Sequence, residues 1–312
     1  MKAGWKKKII DSVPSLQYEE NALMAGRTTF RIGGPADLLV EPANVEQFST
    51  LLQIAQEESI PICVIGAGSN LLVLDGGIRG LVIVLDSLMS GYKIDETGLV
   101  EVEAGTRLIE LARAASAAGL TGLEFASGIP GTVGGALAMN AGAYNGEMSQ
   151  ITEAVQIMDG QGQLSWLTNA EMEFDYRQTR LTNGGGWIMA AKLRLSHGDP
   201  AVIATTIQTI TEARTSRQPL QYPSAGSVFK RPPGHFAGQL IEKAGLKGFV
   251  IGGAQVSDLH AGFIINIGGA TAANVMHLIQ HIQEKVSEMF SIHIDPEIRI
   301  IGESFFSSSE VS

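Results

Sequence analysis

Two glycine-rich stretches hold the residues best suited to chemistry. They are Ile65-Gly66-Ala67-Gly68-Ser69-Asn70-Leu71-Leu72-Val73 and Ser127-Gly128-Ile129-Pro130-Gly131-Thr132-Val133-Gly134-Gly135-Ala136, the second followed by Asn140-Ala141-Gly142-Ala143. Turns of this kind expose successive backbone N–H groups, which form nests for anions, and glycine lets a ligand approach the chain closely. The first stretch is superficially like a dinucleotide fingerprint, but Leu71 stands where the third glycine belongs and Leu71–Leu74 reads as extended, so a Rossmann site fails its own context. The Gly-x4-Gly-Lys-Ser/Thr motif is absent, which argues against a nucleoside triphosphatase. Either loop alone reads equally as a plain turn or an anion site. Together, with an apolar slot alongside, they describe a pyrophosphate cradle for a large dinucleotide such as FAD outside the Rossmann fold.

Two further groups of reactive residues carry less. His277 and His281 have the i, i+4 spacing of a metal pair, but Leu278 follows His277 where a zinc protease helix has its glutamate, and no third ligand offers itself. No metal is expected. Cys63 is the only cysteine, so an internal disulfide is excluded, and its apolar run Pro61-Ile62-Cys63-Val64-Ile65 marks a buried structural thiol.

The elements that must position these residues follow from periodicity. Asn44 to Glu58 reads as a helix capped by Asn44, with Val45, Phe48, Leu51, Leu52 and Ala55 on one face. Pro61–Ile65 and Leu81–Leu85 read as strands buried on both faces, and Arg107–Ala118 as a helix stopped by Gly119. Ala154–Met158 and Gln163–Leu167 flank the turn Asp159-Gly160-Gln161-Gly162 as a hairpin. Thr168 to Glu171 has the form of a capping box, and Trp187–Leu195 is a further strand. After the breaker cluster Ser196-His197-Gly198-Asp199-Pro200 come a helix over Ala201–Arg214 and a loop, Gln218–Phe236, with four prolines. The tail reads as a helix around Gly238–Ala244, a strand over Gly262–Ile267, a long helix over Ala272–Phe290 and a strand over Ile298–Ile301. The domain boundary is expected near Gly198, giving domains 1–198 and 199–312.

With 312 residues, 45% hydrophobic and 17% charged, the chain can bury a sizeable core in two domains. Its 22 Lys and Arg against 32 Asp and Glu give a net charge of −10, a poor match for a phosphate backbone, so no nucleic-acid partner is expected. The start carries Lys2, Lys6, Lys7 and Lys8, yet the apolar stretch after it ends at Ile10, too short for a secretory core. No run approaches the roughly 18 apolar residues of a membrane span, so the reducing cytoplasm is the expected compartment. Nothing marks an oligomer interface, and a monomer is expected.

Seven blocks in order carry a family resemblance. They are Thr29-Phe-Arg-Ile-Gly-Gly-Pro-Ala36, Gly66-Ala-Gly-Ser-Asn70, Ser127-Gly-Ile-Pro-Gly131 with Gly134-Gly135, Asp175-Tyr-Arg177, Ala225-Gly-Ser-Val-Phe-Lys230, Ala244-Gly-Leu-Lys-Gly248 and Pro296-Glu-Ile-Arg299. Across nearly the whole chain this resembles the UDP-N-acetylenolpyruvoylglucosamine reductase (MurB) family. The resemblance implies an α+β fold: a two-lobed, FAD-binding domain of the PCMH type (vanillyl-alcohol-oxidase-like), then an α/β substrate-binding domain. It implies that NADPH, as co-substrate, reduces FAD, and that the enolpyruvyl ether of a UDP-sugar is then reduced to UDP-N-acetylmuramate for peptidoglycan synthesis. Only nine residues separate Arg177 from Trp187, so the inserted loop with a substrate-clamping tyrosine is missing and the chain is similar to the shorter, type II form.

On the matching positions the resemblance implies three catalytic residues. Arg177 would stabilise the enolate formed by hydride addition, Ser227 would give the proton to its α carbon, and Glu297 would act as an acid, orient water or polarise the intermediate. FAD would lie on Gly66, Gly68, Ser69, Asn70 and Leu71, and on Ser127, Gly128, Pro130, Gly131, Gly134 and Gly135. Neither loop holds a His or Cys, so the flavin is expected to be noncovalent. Lys230, Arg217 and Lys247 are candidates for the uridine diphosphate. Asn266, at the end of an apolar strand, could contact substrate or form a turn. Two rivals stand beside this reading. Another PCMH-type oxidase or dehydrogenase would lack the set Ser227, Lys230 and Glu297, and a non-catalytic sugar-nucleotide-binding module would not need Arg177, Ser227 and Glu297 together.

Overall fold

The computed structural model describes residues 4–304, so Lys2 of the basic start lies outside them. The chain divides into two compact units. The first comprises Met1–Glu19, Leu38–Ala67 and Gly80–Arg214; the second comprises Glu20–Asp37, Gly68–Arg79 and Thr215–Ser312. The division in the C-terminal half thus falls after Arg214, inside helix Pro200–Arg217, whereas Gly198 lies between strand Ser196–His197 and that helix. It also falls inside the first glycine loop, after Ala67.

A five-stranded antiparallel sheet forms the centre of the first unit, in the order Leu164–Thr168, Thr152–Met158, Trp187–Arg194, Leu99–Glu103, Tyr92–Ile94. The expected hairpin is its edge, with Met158 opposite Leu164. Side chains alternate across such a sheet, and Val100, Val102, Val155, Ile157, Ala191 and Leu193 join helix residues Leu108, Leu111 and Ala115 in one buried cluster. A four-stranded sheet, mostly in the first unit, runs in the order Gln17–Leu23, Pro35–Glu41, Ile78–Val84, Ile62–Ile65. Helix Val45–Glu57, capped by Asn44 accepting from Gln47 N–H, buries Phe48, Leu51, Leu52 and Ala55 in a second cluster with Leu81 and Ile83.

Strand Ile62–Ile65 departs from expectation. It pairs in parallel with Leu81–Val84 but is the end strand of its sheet, so Ile62, Cys63 and Val64 are only half-buried. Burial still pushes the Cys63 thiol up to about 11, where it stays protonated at neutral pH. The capping box at Thr168 forms, with Thr168 N–H on the Glu171 carboxylate at 2.8 Å. It starts only the 3-10 turn Ala170–Met172, because Glu173 enters the left-handed region at φ 50° and stops it.

The second unit builds its core on helix Ala272–Phe290, whose bounds are the expected ones. Val275, Leu278, Ile279, Ile282 and Val286 repeat at helical spacing and bury against Phe30, Ile32, Leu72 and Val228. The helix packs with the antiparallel meander Val250–Ile251, Ala254–Val256, Ile264–Asn266, so the strand expected over Gly262–Ile267 is shorter than its apolar run. Strand Arg299–Ile301 lies parallel to Leu71–Val73, the extended segment read after the first glycine loop. Among the described residues no helix is long and apolar enough to cross a membrane.

The start of the long helix is capped twice. Thr271 and Asn274 form a reciprocal capping box, and the Asp75 carboxylate accepts from the N–H groups of Ala272 and Ala273 at 2.8 and 2.9 Å. Asp75→Ala is expected to lower stability by about 1–2 kcal/mol, measured by urea unfolding; an unchanged midpoint would show the box alone suffices.

Candidate active site

In the first unit the start of the first glycine loop abuts the second. A Cβ on Gly66 would lie 2.3 Å from the Thr132 hydroxyl, so only glycine fits there. The second loop leaves the 3-10 turn Glu124–Ala126 and ends in helix Val133–Ala138. Gly131 sits at φ 127°, a backbone region open to glycine, and its carbonyl accepts from Leu108 N–H. Gly134 and Gly135 are helical. Gly134 N–H donates to Ala104 C=O at 2.8 Å and Gly135 N–H to the capping Thr132 hydroxyl at 3.3 Å, so both donors are used inside the protein. A Cβ on Gly134 would come within 2.9 Å of the Ala104 Cβ, which makes this glycine the contact by which the helix packs closely.

The beginning of the loop is different. The Ser127 hydroxyl is buried without a hydrogen-bond partner among the described residues. Beside it, a Cβ on Gly128 would fall 2.5 Å from Cδ and Nε of Arg214, so the glycine makes room for that side chain. Burial lowers the Arg214 pKa, Tyr144 opposes that shift, and no carboxylate pairs with the guanidinium among the described residues. A partly desolvated cation packed beside a buried, unbonded hydroxyl is costly unless a ligand completes them. Arg214 was not singled out from the sequence, although a signal exists. It follows Ile203, Ile207 and Ile210 on one stripe of its helix, and a charge on a stripe whose other members include the buried Ile203 and Ile210 calls for a partner.

Arg177 also lies in the first unit. Its backbone is left-handed, φ 56°, in a tight turn where Asp175 and Gln178 exchange hydrogen bonds of 3.0 and 3.2 Å. Such a conformation costs an arginine energy and is found where surroundings enforce it. Here the enforcer is Asn140, only 2% exposed, whose amide donates to Asp175 C=O at 3.2 Å while its oxygen accepts from Ser149 N–H at 2.9 Å. The guanidinium donates to the carbonyls of Asn140 and Gly142 at 3.5 and 3.3 Å and stands over the Tyr176 ring at 5.2 Å.

The second unit brings Ser227 and Glu297 onto neighbouring extended segments. Residues 227–230 are held on both edges: Val228 N–H donates to Gly262 C=O at 2.9 Å, Glu297 N–H donates to Val228 C=O at 2.6 Å, and Lys230 N–H donates to Asp295 C=O at 2.9 Å. Isolated bridges pair Ser227 with Phe263 and Phe229 with Pro296. Asn70, from the first glycine loop, donates its side-chain amide to Glu297 C=O at 3.3 Å and its carbonyl accepts from Arg299 N–H at 2.9 Å. Gly68, at φ 64°, packs on the Arg27 carbonyl, and its own carbonyl accepts from Thr29 N–H. Ser69 and Leu71 are half-buried on either side of Asn70.

The other sequence candidates divide. Lys230 and Arg217 are exposed. Lys247 pairs with Glu242 at 2.7 Å. Asn266 forms a turn, since its amide donates to Phe30 C=O and its oxygen accepts from Gly268 and Ala270 N–H. His281 stacks on Phe249 at 4.5 Å. Pro130 is exposed in the second loop.

A glycine loop with a buried hydroxyl and the Arg214 guanidinium packed beside it, the loop lying within a stretch, residues 36–168, that matches the model of FAD binding domains, defines an FAD-dependent oxidoreductase. Residues 218–301 match the model of the UDP-N-acetylenolpyruvoylglucosamine reductase C-terminal domain. The UDP-N-acetylenolpyruvoylglucosamine reductase of Pediococcus pentosaceus is 46% identical over 297 residues, 95% of this chain and 98% of that protein. That of Clostridioides difficile is 45% identical over 280 residues, 90% of this chain and 92% of the relative. The crystal structure of the Thermus caldophilus reductase (MurB) matches with a TM-score of 0.79 at 36% identity, covering 91% of this chain and 99% of that one. The chain belongs to the UDP-N-acetylenolpyruvoylglucosamine reductase family.

The Asn140 clasp gives a direct test. Asn140→Ala strips Ser149 N–H of its acceptor and Asp175 C=O of one of its two donors, and should cost about 1–3 kcal/mol, while Asn140→Asp, which keeps the acceptor, should cost less. Thermal unfolding of the two variants ranks them.

Proposed function

We propose that this chain catalyses the NADPH-dependent, FAD-mediated reduction of UDP-N-acetylenolpyruvoylglucosamine to UDP-N-acetylmuramate, a step of peptidoglycan precursor synthesis. The observation that carries the catalytic half is the hydrogen bond from Glu297 N–H to Val228 C=O, which sets Ser227 and Glu297 on adjacent segments of one unit. The residues also fit the cofactor. The buried Ser127 hydroxyl, the room at Gly128, the positive φ of Gly131 and the guanidinium of Arg214, which pairs with no carboxylate among the described residues, suit an anionic diphosphate or ring of FAD. Bound FAD supplies the hydride, drawn from NADPH, that adds to the β carbon of the enol ether.

The protein's own groups handle the charge and the proton. Hydride addition beside the substrate carboxylate builds an enolate, and the guanidinium of Arg177, fixed by its turn and by Asn140, stabilises that negative charge. The Ser227 hydroxyl delivers a proton to the α carbon. A serine hydroxyl is a weak acid, so its position must be well fixed and its alkoxide supported; the bonds that clasp residues 227–230 supply the first requirement. Glu297, held by Val228 and Asn70, stands as the neighbouring carboxyl that orients or resupplies the proton. Lys230, Arg217 and Lys247 offer charge to the uridine diphosphate, and Lys247 must exchange its Glu242 pairing to do so. Since NADPH and UDP-sugars are cytoplasmic metabolites, we place the enzyme there.

Two measurements test this reading. Ser227→Ala should retain FAD and be reduced by NADPH at the normal rate, yet be reoxidised by the enolpyruvyl substrate roughly a hundredfold more slowly; stopped-flow flavin absorbance reads each half separately. Reoxidation at the wild-type rate would move the proton donor elsewhere. Gly131→Leu and Arg214→Met should both lose FAD on gel filtration, and the wild-type flavin should leave the chain on acid precipitation. Full flavin retention by both variants would mean that the cofactor does not use this loop.

A further inference from the structure

His260 has no role in the reaction described so far, yet its ring is built into the fold beside the proton donor. Its Nδ1 accepts from Gly262 N–H at 3.1 Å. The same glycine's carbonyl accepts from Val228 N–H at 2.9 Å, immediately after Ser227. A Cβ placed on Gly262 would lie 2.9 Å from His260 Cε1, 3.1 Å from Nδ1 and 3.4 Å from the Ser227 hydroxyl, so imidazole and hydroxyl flank one bare Cα. A second glycine, Gly238, clears the ring's other neighbourhood: its Cβ would sit 3.2 Å from Cε1. Phe263, the residue bridged to Ser227, meets the ring edge-on at 5.0 Å.

The turn that carries His260 is itself locked. Ser257, 1% exposed, accepts from the N–H groups of Leu259 and His260 through its hydroxyl and donates its own N–H to Phe263 C=O, while Phe263 N–H donates to His260 C=O. The strand edge on which Ser227 rests is therefore fixed at one point by a side chain that can change its hydrogen-bonding character.

We propose that His260 is a positioning residue for Ser227: its neutral imidazole holds Gly262, Gly262 holds Val228, and this chain of bonds aims the Ser227 hydroxyl at the substrate's α carbon. The inference rests on Ser227 being the proton donor. An imidazole accepts at Nδ1 only while that nitrogen carries no proton. Burial lowers the His260 pKa below its ordinary value of 6.5, so the acceptor is present at neutral pH. The charges that bear on it are Lys247, which lowers its pKa further, and Glu242, which raises it; these two pair with each other. The Asp258 carboxylate is turned toward Gly248. As pH falls below the ordinary histidine value and then through the lowered one, Nδ1 takes a proton, Gly262 N–H loses its acceptor, and the aim of Ser227 is lost.

The experiment uses the full-length, FAD-bound enzyme in stopped flow, with NADPH reduction and reoxidation by UDP-N-acetylenolpyruvoylglucosamine recorded separately between pH 5 and 8. His260→Ala should leave the first half-reaction within about twofold of wild type and slow the second by roughly ten- to a hundredfold, the scale of a misplaced reacting group. His260→Asn, whose side-chain oxygen can accept from Gly262 N–H at every pH, should recover most of the rate and abolish the acid limb expected of the wild type. Wild-type reoxidation by His260→Ala would overturn the proposal. So would equal slowing of both half-reactions, or an acid limb kept in His260→Asn. Ser227→Ala, run alongside, separates the two ideas: if it reoxidises normally, the assignment of the proton donor fails, whereas slow Ser227→Ala with normal His260→Ala sinks only the role of His260.

Discussion

The backbone of residues 227–230 is clasped on both edges, and most of the second unit's chemistry depends on that clasp. One edge is Gly262 and Phe263, the other Asp295 to Glu297. A two-residue bridge at either side would be weak alone, since isolated ladders gain little beyond the desolvation they suffer. Here the ladder closes on buried Val228 and Phe229, whose side chains join the cluster around helix Ala272–Phe290. Apolar burial supplies the stability and hydrogen bonds supply the geometry, so a weakly acidic hydroxyl is held in one place without a helix or long strand beneath it.

The first unit meets a related demand by strain rather than by ladder. Arg177 and Asn140 both take positive φ, as do Tyr144 and Asn145 nearby. Each such residue is disfavoured locally. The cluster persists because the Asn140 amide satisfies two chain segments at once, which fixes where the guanidinium begins its reach.

Long periodic segments were legible because one physical cause decided them. Helix Ala272–Phe290 announces itself through a capping Thr271 and an unbroken apolar stripe, and the hairpin through its Asp159-Gly160 turn. The family blocks placed Arg177, Ser227 and Glu297, but their supports were invisible. Helix Val133–Ala138 hides in a run with two glycines, a composition that reads as a loop; Thr132 caps its start, and Gly134 lets it pack closely on Ala104. Strand Gln17–Leu23 buries only Ala22 and so has no alternation to detect. His260 and Arg214 acquire meaning only from neighbours distant in sequence: Gly262 with Val228 in one case, Gly128 in the other. Asn266 reads equally as ligand contact or turn, and its hydrogen bonds give it a turn-forming role.

The division of the chain after Glu19, Asp37, Ala67, Arg79 and Arg214 has a consequence for how the protein emerges from the ribosome. Phe30, Ile32 and Leu72 are made early, but the partners that bury them, Val228 through Ile298, are made last. Until then these apolar side chains have nowhere native to go, and the segments that carry them must wait while Gly80–Arg214 condenses. Contacts so far apart along the chain slow folding and prolong exposure of sticky surface. Vectorial synthesis thus leaves the second unit the last to close, and any stall before Thr215 yields a nascent chain with a finished sheet and an unpaired, aggregation-prone remainder.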